Sequence, residues 1–249
     1  MNKKTILITG GSKGIGLATG ELFLERDFRV ILLARDRARL TRVKADFVKR
    51  GFAAHDIEVA AIDLSDSDAL ALRVPKLKLL QDGLFGLVNN AAVEILKKVT
   101  QYSRDDLEST WRVNMLAPIL MIQKCYPYLL KASGTVVNVG SISDHRHYEK
   151  YSVYGASKCF LNGFSQHVAK ELGFDGIRLN VVSPGGVDTP LMQKVEKLFA
   201  PKEIARTKAT IPIDQRWATS REIAETIYFS LTGPRYLHGA DIRIHGGCE

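Results

Sequence analysis

The sequence predicts an α/β protein: one doubly wound, seven-stranded parallel sheet with helices on both faces. Three observations carry that prediction. Seven short apolar runs recur along the chain, segments of helical spacing separate them, and no linker, repeat or low-complexity stretch breaks the rhythm. The 249 residues therefore read as a single domain, 1–249.

The elements follow in order. "TILITG" (5–10) is the first strand, and a glycine-rich turn leads from it into the helical segment "LATGELFLERD". "FRVILLAR" (28–35) is the second, followed by "ARLTRVKADFVKRG". "IEVAAIDL" (57–64) is the third, with Ser65 or Asp66 placed to cap a helix behind it. "GLFGLVNN" (83–90) precedes the long helical stretch "MLAPILMIQKCYPYLLKA", and "GTVVNVGS" (134–141) precedes "KCFLNGFSQHVAKELG". "IRLNVVSP" (177–184) and "ADIRIHGG" (240–247) are the last two strands. Most of these runs are near-continuous rather than alternating, as expected of strands buried on both faces of a parallel sheet. Strand–helix alternation implies right-handed crossovers. The stretch 190–215 departs from this rhythm and reads as an insertion of one or two helices before the last helix and strand.

Composition excludes some functions. At 45% hydrophobic and 25% charged the chain is ordinary for a soluble globular protein, and no apolar run reaches the length of a membrane span. "MNKKTILITGG" reads as a first strand rather than a signal peptide, because glycines stop its short apolar run without a cleavage site. Cys125, Cys159 and Cys248 show neither metal spacing nor a disulfide framework, which points to a reducing, cytoplasmic setting with no bound metal. The net charge of +8 is scattered, without the basic runs of a nucleic-acid binder. It fits an anionic small ligand or a solubility charge.

The first strand runs into "TGGSKGIG" (9–16). The pattern Thr9-Gly10-x3-Gly14-x-Gly16 is not G-x-G-x-x-G, but it meets the same need. Glycines let the turn close and let backbone N–H groups approach a pyrophosphate at a helix N-terminus. A carboxylate at the end of the second strand would grip the ribose hydroxyls of NAD; here Ala34 and Arg35 stand there, with Asp36 one position later. Arg35 offers a fork suited to phosphate, and Lys13 adds a second cation on the same side, so NADP(H) is the expected cofactor. Asp63 and Leu64, ending the third strand, are expected beside the adenine.

In "SVYGASKCF" (152–160), Tyr154 and Lys158 stand one helical turn apart. With "TGGSKGIG", "NNAA" (89–92), Asn114 in "WRVNMLAP", Ser141 in "NVGSIS" and "SPGGVDTP" (183–190), the chain resembles the short-chain dehydrogenase/reductases in their compact single-domain branch, including members like 3-oxoacyl-carrier-protein reductases and carbonyl reductases. The resemblance spans essentially the whole chain and implies a Rossmann-type fold. It implies that Ser141, Tyr154, Lys158 and Asn114 are catalytic. It places Gly10, Ser12, Lys13, Gly14, Ile15 and Gly16 at the pyrophosphate turn, Asn89 as a strand brace, and Asn90 and Ala91 beside the cofactor. Tyr154 and Lys158 would also hold its ribose, and Pro184, Gly185, Val187 and Thr189 its nicotinamide. One departure is Ala92, where the family usually has glycine; an extra methyl is tolerable there if φ is negative.

The chemistry implied is hydride transfer between NADP(H) and a carbonyl or secondary alcohol, with Tyr154 as general acid/base. Lys158 is expected to lower the tyrosine pKa, Ser141 to donate to the developing alkoxide, and Asn114 to anchor a water that carries protons to the lysine. The alternative is a non-catalytic NADP(H)-binding sensor or scaffold on the same fold. His145 and His147 read as pocket rim or surface, and Asp144 and Tyr148 as substrate-site lining. Val93, Ile95, Val187, Met192, Leu198 and Phe199 would make the pocket apolar, with Glu94 at its edge. The expected partner is a small-molecule carbonyl or alcohol, with no nucleic acid or membrane, and the resemblance implies a homo-oligomer, a tetramer or dimer.

Overall fold

The computed structural model describes residues 3–248; Met1, Asn2 and Glu249, the ends of the predicted 1–249 span, lie outside the described residues. The strands are β1 (Thr5–Thr9), β2 (Arg29–Ala34), β3 (Ile57–Ala61), β4 (Gly86–Asn89), β5 (Thr135–Val139), β6 (Arg178–Pro184) and β7 (Asp241–Ile244). Each falls inside its predicted run. All adjacent pairs are parallel, in the order β3-β2-β1-β4-β5-β6-β7. The chain winds outward one way from β1 and the other way from β4. The crevice between their C-terminal ends is the place where such sheets bind ligands. The predicted runs overshoot at this edge because Gly10, Arg35, Asn90 and Ser141 leave the sheet to form its loops.

The helices are α1 (Gly14–Glu25), α2 (Arg37–Lys49), α3 (Ser67–Arg73), α4 (Arg104–Thr110), α5 (Ala117–Ala132), α6 (Ser152–Phe174), α7 (Met192–Glu196), α8 (Pro201–Ala209) and α9 (Ser220–Thr232). Successive strand residues face opposite sides. Leu7, Ile31 and Leu87 pack with Met121 and Leu129 of α5 and Leu172 of α6. Ile6, Ile8 and Leu32 pack on the other face with Phe23 of α1, Phe47 of α2 and Ile227 of α9. Burial of each such side chain contributes ~1.5–3 kcal/mol, and both faces must be covered for the sheet to form. Asp66 caps α3 by accepting the Ala69 N–H at 2.9 Å. Between α4 and α5, residues Trp111–Leu116 form a π-helical turn. Pro118 has no N–H to offer the Asn114 carbonyl, which relaxes the α register where that turn sits. The stretch 190–215 holds the two short helices α7 and α8 beside the crevice.

Candidate active site

A cleft of about 430 Å³ opens at the crevice. Its near end is the turn between β1 and α1. Gly10 has φ +69°, and a Cβ there would lie 2.7 Å from Asn90 Nδ2. A Cβ on Gly16 would lie 2.5 Å from the Gly10 carbonyl oxygen. A side chain at Gly10 collides with the β4 loop, and one at Gly16 with the turn itself. Thr9 ties the turn to β4. Its hydroxyl accepts the N–H groups of Asn90 and Ala91 at 3.0 and 3.1 Å and donates to the Val88 carbonyl at 3.3 Å. Asn90 Nδ2 donates back to the Thr9 carbonyl at 2.8 Å. The brace between β1 and β4 is thus Asn90, while Asn89 reaches the other way and donates to Asn138 Oδ1 of β5 at 2.9 Å.

Lys13, Gly14, Ile15, Asn90 and Ala91 line the cleft, whereas Ser12 and Gly16 are buried behind it. Burial lowers the Lys13 pKa, and the positive charges of Lys194, Arg39 and Arg35 lower it further. Four cations thus share one corner. Asp36 is engaged on its own helix rather than held out as a ribose-gripping acid: it caps α2, accepting the Arg39 N–H at 2.9 Å, and its other oxygen lies 3.7 Å from Arg39 Nε. Its carboxyl is held below the usual range by that bond first and by nearby arginines. Asp63 is also turned inward on its own loop, accepting from Ser65 N–H and Oγ at 2.9 and 2.8 Å. Leu64 packs against the core beneath, and neither residue lines the cleft.

Ser141, Tyr154, Lys158 and Glu94 line the same cleft with Pro184, Gly185 and Val187, while Thr189 sits against Gly14 of the turn. Ser143 donates to Ser141 Oγ from its N–H at 3.2 Å and its hydroxyl at 2.9 Å. Both donors leave the Ser141 proton free to point at Tyr154, to which it hydrogen-bonds. Tyr154 is 8% exposed, and burial pushes its pKa well above the ordinary tyrosine value. The Glu94 charge adds to that rise, and the Ser141 bond opposes it. Lys158 does not produce the expected lowering. It donates to the Val139 carbonyl at 2.8 Å, and burial lowers its own pKa to about 8. The protein's own groups thus keep the phenol protonated and the lysine close to neutrality at mildly alkaline pH.

Asn114 is buried on the π turn, outside the cleft. Its Nδ2 donates to the Val93 carbonyl at 2.9 Å and to Ser157 Oγ at 3.0 Å, and its Oδ1 accepts the Val93 N–H at 2.8 Å. With both amide hydrogens taken and the residue 1% exposed, the side chain is a backbone brace rather than a water anchor. Ala92 does not have positive φ, so its methyl fits.

Other expectations shift. Tyr148, Val187, Met192 and Phe199 line the cleft, but Val93, Ile95 and Leu198 do not. Glu94 stands beside Tyr154 and Lys158, not at the edge. Asp144 is drawn below the cleft, where it contacts His145 and accepts from Asn162 Nδ2 at 2.7 Å. His147 is exposed. Among the described residues no group of three His, Cys, Asp or Glu is placed to hold a metal, and no helix is long and apolar enough to cross a membrane. Sequence reasoning missed Tyr151, Arg146 and Trp217, which also line the cleft. Tyr151 stands three residues before Tyr154, a helical spacing that offers a signal. Trp217, far along the chain, offers none.

The sheet order and the glycine turn at its switch point define a Rossmann-type α/β protein. The sequence profile described as short chain dehydrogenase matches residues 4–198, and the chain belongs to that family of oxidoreductases. It is similar to protein FixR of Bradyrhizobium diazoefficiens, 32% identical over 98% of this chain and 86% of that protein. It is also similar to a tropinone reductase homolog of Arabidopsis thaliana, 30% identical over 98% of this chain and 89% of the relative. Among solved structures, 4-hydroxyisoleucine dehydrogenase complexed with NADH superposes with a TM-score of 0.87 at 27% identity, covering 99% of this chain and 98% of that one.

Proposed function

We propose that this protein reduces a carbonyl compound with NADPH, or runs the reverse alcohol oxidation. The observation that carries the proposal is one cleft joining the glycine turn to a buried Tyr154 hydrogen-bonded by Ser141, with Lys158 one turn on. The residues fit a nicotinamide dinucleotide. The turn at Gly10 and Gly16 has backbone where a Cβ would collide, and the α1 N-terminus behind it favours a pyrophosphate. Gly10, Gly14 and Ile15 would hold that group, with Ser12 and Gly16 shaping the turn behind it, and Asn90 and Ala91 the adjoining ribose. Pro184, Gly185, Val187 and Thr189 would hold the nicotinamide.

NADPH is preferred over NADH because Lys13, Arg35, Arg39 and Lys194 crowd one corner, where Asp36 pairs with Arg39 at 3.7 Å. A 2′-phosphate relieves that repulsion. The NADH bound to 4-hydroxyisoleucine dehydrogenase belongs to that relative, and the cation corner of this chain argues for the other cofactor.

When bound, the reduced cofactor supplies a hydride to the carbonyl carbon. Tyr154 gives its proton to the oxygen as charge develops, and its raised pKa suits it to the acid role in reduction. With substrate bound, Ser141 turns its one hydroxyl proton from Tyr154 to the same oxygen. Lys158, with its pKa near 8, takes up and returns a proton within reach of the tyrosine and holds the ribose. Asn114 is a positioning residue, fixing the Val93 backbone on one wall. Substrate-dependent NADPH oxidation tests the proposal across a panel of ketones. Turnover that survives Tyr154→Phe at the wild-type rate would sink the mechanism.

A further inference from the structure

We propose that the substrate carries a cationic nitrogen close to its carbonyl and that the Glu94 carboxylate binds it. The inference rests on the function proposed above and names the substrate class for that site.

Glu94 lines the cleft and is half-buried. Its side chain makes no hydrogen bond or ion pair with any described residue. It shares the cleft lining with Tyr151, Tyr154 and Lys158, and its charge acts on all three. Burial pushes its pKa up to about 7, against the charge of Lys158. A carboxyl held away from water without a partner is destabilising, and nothing in the fold uses it. Asn114 nonetheless fixes the backbone beside it: the three hydrogen bonds of that side chain include both polar groups of the Val93 backbone, one residue before Glu94. The chain thus anchors the backbone that carries this unpartnered carboxyl into the cleft.

The neighbouring charges do not satisfy it. Lys158 donates to Val139 and forms no ion pair with Glu94. Arg146 lies over the Tyr148 ring, 5.5 Å from its centroid. Lys13 belongs to the nucleotide corner, and the remaining charged lining groups, Glu149 and Glu203, are acids. The adjoining wall is aromatic. The Tyr148 and Tyr151 rings pack at 5.3 Å, and Tyr151 packs edge-on to Tyr154 at 6.1 Å. The carboxylate attracts an ammonium through its charge, and the Tyr151 ring adds its quadrupole, while Tyr148 and Tyr154 already carry Arg146 and Lys158 over their rings. A neutral hydrogen-bond donor gains only the first, weaker contact, and an anion is repelled.

The test uses three ketones of similar size with the NADPH-loaded protein: 1-(dimethylamino)propan-2-one, its neutral isostere 4-methylpentan-2-one, and anionic 4-oxopentanoate. The kcat/KM ratio of aminoketone to neutral ketone is expected at ~10-fold or more in the wild type. It should collapse towards unity in Glu94→Gln and partly persist in Glu94→Asp. A ratio that is the same in Glu94→Gln, or a wild-type preference for 4-oxopentanoate, overturns the proposal. If no ketone is reduced, the reductase function fails, and calorimetric titration decides this inference separately. Tighter binding of the aminoketone than of its isostere, lost in Glu94→Gln, upholds it; equal binding overturns it.

Discussion

The two ends of the cleft are built by opposite means. The turn at 10–16 works through backbone and space, and its side-chain charges are exposed cations at one corner. The far end works through titratable side chains withdrawn from water: Tyr154 and Glu94 pushed up, Lys158 pushed down. At the first end a substitution changes what fits. At the second it changes where a proton resides. The difference teaches that cofactor choice and proton transfer can be perturbed separately in this molecule.

The strongest way to sharpen that contrast is Tyr154→Phe. Turnover should fall by ~10²–10⁴-fold, the usual worth of a general acid. NADPH affinity, followed by its fluorescence, should fall far less. Comparable losses in both would erase the distinction.

Glu94→Gln probes the far end through stability. Glu94 titrates at about 7 in the folded protein against an ordinary 4.5, so the folded state binds more protons between those values. Stability therefore falls as pH rises through that window, costing at most about 3 kcal/mol above it. The glutamine variant should be the more stable protein at pH 8, with the gap closing near pH 4.5. Urea melts at the two pH values measure it, and a wild type that is more stable at pH 8 breaks the account.

Arg35→Asp probes the near end. The ratio of kcat/KM for NADPH over NADH should drop ~10–100-fold, as a phosphate contact becomes a repulsion. An unmoved ratio removes the cation corner from cofactor choice. Smallest is Asp36→Ala, where loss of the α2 cap should cost about 1 kcal/mol in a thermal melt. The cofactor ratio should not follow it, since this carboxylate serves the helix. A shift toward NADPH would mean that Asp36 also faces the ribose.

The sheet was legible because its strands are buried on both faces, and such strands must be nearly all apolar. The glycine turn was legible because its glycines recur within seven residues, although the contacts that require them, Asn90 and Ala91 against Gly10, come from the β4 loop. Glu94 was misplaced because the neighbouring Val93 backbone is set by Asn114, 21 residues from Val93 across a hydrogen bond that no spacing rule announces. The direction of the Tyr154 shift was missed for a related reason. A lysine four residues on is visible in sequence, but complete burial is a property of the assembled wall. Asp144 looked available to a ligand, and only its observed partner, Asn162, shows it occupied.

Thr9 is 2% exposed, and its hydroxyl serves three backbone groups at once. A valine would match its outline and pack as well, yet would leave the Asn90 and Ala91 amides facing hydrocarbon. Those amides begin the segment that continues through Ala92 to Glu94, while Thr9 itself leads straight into Gly10. One oxygen atom therefore keeps two otherwise independent workshops level with each other. A change that preserves shape at this point is more disruptive than many that do not, because what it removes is alignment rather than volume.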